Sequence, residues 1–182
     1  MVVPLVFFLF FHLHTASARI PRILDQLNIN SNPVDAICNN VADSPYCLQV
    51  LRELNLNPTK ISKIGRTGTE ISKYARGKAV DTSTYIETLK KQYPYLNPTL
   101  QACSDSYQGL INAFAMTGEE IQSKDYATID YDLHVSAVDN FHCPDDQFTS
   151  RGFHESPLAA RNHEVMTLSD MLTHIGILLD KM

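Results

Sequence analysis

Seven histidines and four cysteines give this chain its widest chemical repertoire. Histidines in a His-Glu-x-x-His spacing present two imidazoles from one helix face and can hold zinc. None of His134, His142, His154, His163 and His174 has that spacing, so they read as surface or partly buried groups. Asn162-His163-Glu164 reads as a polar helix surface. Asp145-Asp146 could do acid–base work if one carboxyl were kept neutral, but just past Cys143 in a loop the pair is expected to be solvated. Gly65-Arg-Thr-Gly68 is too short for a phosphate loop and lies inside a helical pattern. A serine or thiol nucleophile needs an adjacent base, and the pattern offers none. No catalytic residue, metal ligand or cofactor site is read from these residues.

The cysteines have a different use. Spacings of eight, fifty-five and thirty-nine intervening residues lack the close pairs of a zinc site. The first eighteen residues supply the context. Met1 to His14 is apolar for about a dozen residues, and Thr15-Ala-Ser-Ala18 offers small residues in an Ala-x-Ala cleavage pattern, the layout of a secretory signal peptide. That run is shorter than a bilayer span, and no later stretch reaches eighteen consecutive apolar residues, so no membrane anchor is expected. In an oxidising compartment four cysteines imply two disulfides, with three possible connectivities. Cleavage after Ala18 leaves the formal net charge at -5, since the leader carries no charged side chain. An acidic chain of this kind is a poor partner for nucleic acid.

The elements that must position these cysteines are helical. Asn32 with Pro33, and Asp43-Ser44 with Pro45, are two N-terminal signals separated by a break near Ala42. They predict two short helices folded back on each other, with Cys38 and Cys47 flanking the turn. Such a bridge closes a loop of about ten residues and disfavours the unfolded chain by about 2.5 to 3 kcal/mol on the chain-entropy account. Residues 19–31 carry apolar side chains at Ile20, Ile23, Leu24 and Leu27, enough for a short arm. Asn57-Pro58-Thr59 opens the next helix, with Ile61, Ile64, Gly68, Ile71 and Ala75 and then Tyr85, Ile86, Leu89 and Tyr93 inward. Over residues 59–92 the spacing allows one helix weakened near Gly77 or two, ending at Pro94.

A second helix starts at Asn97-Pro98, with Leu100, Cys103, Tyr107, Leu110, Phe114 and Ile121 on one stripe. Gln122 to Asp125 reads as the turn. A third runs from about Tyr126 with Ile129, Leu133, Ala137 and Phe141 inward, and the last starts near Ser156-Pro157 with Leu158, Val165, Leu168, Leu172, Ile175 and Leu179. The expectation is an all-α chain: an up-and-down four-helix bundle (57–182) after an N-terminal arm and hairpin (19–56), in one domain spanning 19–182 behind the leader 1–18. Cys103 and Cys143 stand twenty residues either side of Ser123, so an antiparallel pair brings them level. A bridge there closes about forty residues and contributes nearly 4 kcal/mol on the same account. Neither Asn57-Pro-Thr nor Asn97-Pro-Thr is a glycosylation sequon, because proline holds the middle position.

The cysteine layout together with Ser123-Lys-Asp-Tyr-Ala127, Val135-Ser-Ala-Val-Asp-Asn-Phe-His-Cys143, Asp146-Gln-Phe148, Ser156-Pro-Leu, Asn162 and the helix from Leu168 to Ile177 resembles the plant invertase and pectin methylesterase inhibitor family. The resemblance covers nearly the whole mature chain and looks closest to pollen-allergen-type members. It implies a secreted protein of the apoplast or cell wall, bridged Cys38 to Cys47 and Cys103 to Cys143. It also implies a stoichiometric inhibitor of acid invertase or pectin methylesterase, not an enzyme. Invertase inhibitors of the family insert a Pro-Lys-Phe motif at the start of the third bundle helix, where this chain has Tyr126-Ala127-Thr128. Target contact is expected around Lys124, Asp125, Tyr126 and Thr128, although a tyrosine in register with Ile129 and Leu133 suits a core position better. The alternative is a secreted helical protein that keeps the fold without inhibiting. Five histidines of the mature part titrate near the acidity of a plant cell wall, so partner binding is expected to depend on pH.

Overall fold

Helix α1 (Pro33–Cys38) begins where Asn32 accepts a hydrogen bond on its side chain from the Val34 amide at 3.2 Å, with Pro33 in the first turn. Helix α2 (Ser44–Glu53) begins the same way: Asp43 Oδ1 accepts from the Tyr46 amide at 2.9 Å, and Pro45 follows. Both starts match the capping residues read from the sequence. Cys38 and Cys47 are buried and disulfide-bonded, with their Cα atoms 5.5 Å apart. The chain leaves α2 through Asn55 in the left-handed region (φ 52°), and the Leu56 amide then reaches back to the Leu51 carbonyl at 2.8 Å.

This computed structural model describes residues 32–56, 61–138, 141–143 and 145–182. The leader, the arm at 19–31 and the start signal Asn57-Pro58-Thr59 lie outside the described residues, as do the side chains of Ile61 and Ala137. Among the described residues the secondary structure is all helical, with no strand. A single 3₁₀ turn (Ile61–Lys63) leads into α3 (Ile64–Gln92). This helix runs unbroken through Gly77, which resolves the choice between one helix and two. Its glycine faces open space, so the position costs local helix preference but no packing. The helix ends one residue before Tyr93, because Pro94 disfavours helical backbone in the residue before it.

Helix α4 (Asn97–Ser123) buries the whole expected stripe: Leu100, Cys103, Tyr107, Leu110, Phe114 and Ile121. It lies close against α3 because small residues face each other. Ser72 Oγ donates to the Phe114 carbonyl, and a Cβ added at Gly118 would stand 2.8 Å from that hydroxyl oxygen. Helix α6 (Ala159–Asp180) buries Val165, Leu168, Leu172, Ile175 and Leu179 as expected, and Leu158 is buried just before its first residue. It starts slightly later than Ser156-Pro157; the Ser156 hydroxyl accepts from the Leu158 amide at 3.2 Å and so leads into it. Helix α3 receives α6 at Gly68, where an added Cβ would lie 2.8 Å from Ile175 Cγ2.

Three expectations are corrected. The turn after α4 begins later than Gln122, because α4 continues through Ser123. The third helix is not a regular α-helix. From Tyr131 to Val138 the chain is a π-helix, with a wider turn than an α-helix. Ile129 and Leu133 are both buried, and a four-residue step fits either helix type, so apolar spacing could not tell them apart. The third correction concerns Asn162, read as surface. It is 7 % exposed, accepts from the Tyr107 hydroxyl at 2.9 Å and donates to Asp145 Oδ1 at 3.1 Å. A buried amide that joins two elements is indistinguishable in sequence from one facing water. A short helix α5 (Asp146–Thr149) after Cys143 was not anticipated; it puts Phe148 fully into the core, edge-on to Phe153 at 6.1 Å.

Cys103 and Cys143 are bonded, with Cα atoms 4.3 Å apart. The bridge ties the segment after the π-helix to α4. The two clasps are therefore the pairs that the sequence suggested, and no described cysteine is free.

Candidate functional site

The turn that joins α4 to the π segment holds all four residues expected to meet a target. Its geometry begins with a lysine in an unusual backbone state. Lys124 closes α4 in the left-handed region (φ 63°, ψ 31°), a place more often taken by glycine or asparagine. A side chain there costs about 1 to 2 kcal/mol locally. The Lys124 and Asp125 amides both point back to the Glu120 carbonyl, the latter at 2.9 Å, which satisfies the end of the helix. Lys124 and Asp125 are exposed.

Tyr126 and Thr128 turn inward. Tyr126 is half-buried and packs on the core, as its register with Ile129 and Leu133 suggested. The Thr128 hydroxyl lies 3.1 Å from Glu120 Oε1 and 3.1 Å from the Asp125 carbonyl. These four residues thus share one turn, but only Lys124 and Asp125 offer full side chains to a partner.

The sequence reading missed three residues beside them. Tyr131 is 61 % exposed on the first turn of the π segment, a large aromatic side chain available at the surface. Glu120 and Asp132 are half-buried acids before and after the turn. Burial pushes the Glu120 carboxyl up to about 7, helped by the nearby acids Asp132 and Asp125; the Thr128 hydroxyl pulls the other way. Its Oε2 is buried without a hydrogen-bond partner.

The histidines are dispersed. His163 Nε2 lies 2.9 Å from Asp43 Oδ2, His174 Nε2 lies 3.0 Å from the Asn40 carbonyl oxygen, and His134 Nε2 lies 3.1 Å from Thr173 Oγ1 and 3.7 Å from Asp130 Oδ1. His154 is exposed, and the His142 amide donates to Ser106 Oγ at 2.8 Å. Asp145 and Asp146 are exposed at the start of α5, with Asp145 also accepting from Asn162. Among the described residues no group of three or more His, Cys, Asp or Glu could hold a metal ion, and no helix is long and apolar enough to cross a membrane.

Beside the second clasp lies an open recess of about 540 Å³, lined in part by Thr99, Phe141, Gln147 and Arg151. Gln147 Oε1 accepts from the Thr99 hydroxyl at 2.8 Å, and Arg151 donates to the Tyr95 carbonyl at 3.3 Å. Thr99, Gln147 and Arg151 are thus engaged within the fold. No protein-family model matches this chain, and no characterised protein compared with it matches in sequence.

Proposed function

We propose that this chain is a secreted protein inhibitor that occludes the active-site cleft of a carbohydrate-acting enzyme of the plant cell wall, acid invertase or pectin methylesterase. The observation that carries the reading is the coincidence of two local clasps, Cys38–Cys47 and Cys103–Cys143, in a helical chain that holds the Ser123-Lys-Asp-Tyr-Ala127 segment at an exposed turn. Two disulfides fit a protein matured in an oxidising compartment. In this reading α3, α4, the π segment and α6 are the four members of an up-and-down bundle, and α1 with α2 is the hairpin before it. The chain itself catalyses nothing and needs no cofactor. It acts by forming a stoichiometric complex that buries about 1,600 Å² in all, with a few anchor residues dominating. Lys124 and Asp125 approach the target directly, and Tyr131 supplies the aromatic anchor that half-buried Tyr126 does not.

One observation favours a second reading, a secreted helical protein that keeps the fold without inhibiting. Tyr126-Ala127-Thr128 stands where invertase inhibitors carry Pro-Lys-Phe, and Thr128 is engaged within its own turn. Mixing the purified mature protein with each enzyme and following sucrose hydrolysis and pectin demethylation separates the two. Loss of one activity supports inhibition and names the target. Full retention of both at excess protein, across acidic pH, overturns it.

A further inference from the structure

The two clasps stand in different surroundings. Cys38 and Cys47 are sealed in the core, at 1 % and 0 % exposed. Cys103 is just as deeply buried, but its partner Cys143 is 7 % exposed and forms part of the wall of the open recess of about 540 Å³. That volume falls in the range of small-molecule sites. The recess has an apolar side, Pro98, Ala102 and Phe141, and a cationic group, Arg151. One guanidinium nitrogen of Arg151 donates to the Tyr95 carbonyl at 3.3 Å, which fixes the group and leaves most of its N–H donors for an anion. The acids Asp145 and Asp146, close to Cys143 in sequence, do not line the recess, and Asp145 is held by Asn162.

We propose that the recess seats a small anionic thiol and that Cys143 is the site at which this thiol exchanges with the disulfide. The incoming thiolate bonds to Cys143 Sγ as the Cys103–Cys143 bond breaks; Cys103 leaves as a thiolate and takes a proton from water. The product is a mixed disulfide at Cys143. A second thiolate then attacks the reagent's sulfur, so that the two reagent molecules leave as one disulfide and Cys143 becomes a free thiol. The order follows from burial: a thiol entering through the recess meets Cys143, while Cys103 is fully enclosed. Arg151 attracts the anionic reagent and favours its thiolate form. Exchange unties the segment beyond the π-helix from α4 without unfolding it. The His142 amide still donates to Ser106 Oγ at 2.8 Å, and Phe141 still meets the Tyr107 ring edge-on at 5.6 Å. The second clasp is thereby a reversible fastener, and the hairpin clasp a permanent one.

This exchange is a property of the free chain and stands apart from whether it inhibits any enzyme. The intact mature protein is incubated with glutathione, an anionic thiol, at about pH 8, where free thiols are partly ionised. Alkylation of free thiols and peptide mapping under non-reducing conditions then locate the products. Cys143 is expected to carry the glutathione adduct and Cys103 the alkyl group, about tenfold or more sooner than Cys38 or Cys47 reacts. Cysteamine, a cationic thiol, is expected to show a smaller preference between the clasps, and Arg151→Gln to remove the difference between the two reagents. If that variant does not fold, the comparison of reagents on the wild type decides alone. Opening of Cys38–Cys47 first, or at an equal rate, overturns the proposal, as does an adduct on Cys103. So does a preference between the clasps that is the same for glutathione and cysteamine.

Discussion

Asn162 joins two polar groups: it accepts from buried Tyr107 and donates to Asp145, whose loop follows the second clasp. Replacing it by alanine leaves the Tyr107 hydroxyl in an apolar interior without its partner. A loss of about 1 to 3 kcal/mol is expected, measured by urea unfolding of the intact mature chain. Tyr107→Phe removes the hydroxyl along with the bond and should cost less. A variant Asn162→Ala as stable as the wild type would show that water replaces the amide. At this scale the sequence was legible for caps and core and silent for polar pairs. Asn32, Asp43, Pro33 and Pro45 act through neighbours one to three residues away, so their roles can be read locally. Asn162 and Tyr107, fifty-five residues apart, meet only after the helices have packed.

Among the elements, α3 offers a direct comparison of two glycines in one helix. At Gly68 an added methyl would meet Ile121 Cδ1 at 2.7 Å and Ile175 Cγ2 at 2.8 Å, and the second atom sits on a β-branched side chain with little freedom to move. Gly68→Ala is expected to destabilise by about 1 to 3 kcal/mol. Gly77 meets nothing within 4 Å, so Gly77→Ala should stabilise by about 0.5 to 1 kcal/mol through helix preference alone. Thermal unfolding of the two variants beside the wild type checks both signs, and equal shifts would contradict the packing of α3 against α4 and α6. Helix existence was readable because the apolar stripes of α3, α4 and α6 run for many turns. The π segment was not, because its difference from an α-helix lies in backbone bonding that side-chain spacing barely registers over two turns. The short α5 offered too few residues for any period to show.

For the whole molecule, the two clasps act on different parts. Cys38–Cys47 stabilises two short helices whose own packing area is small, whereas Cys103–Cys143 anchors the segment beyond the π-helix to α4. Changing Cys38 and Cys47 together to serine is expected to lower stability by about 2 to 3 kcal/mol and to increase exchange in α1 and α2 before the remainder of the chain. Uniform loosening throughout would contradict a local role for that bridge. The pairing was legible because both bridges join positions that a single turn brings level. The choice of target was not, because recognition depends on which side chains a folded surface exposes together. Lys124, Asp125 and Tyr131 are contributed by the end of one helix, a turn and the start of a π segment. The central claim is cleft occlusion by this surface, and a titration of residual enzyme activity against molar ratio tests it most directly. With acid invertase or pectin methylesterase at acidic pH, activity is expected to fall in a straight line to its floor at one equivalent, with substrate slowing the fall. Unchanged activity of both enzymes at a large excess of the mature protein would contradict it.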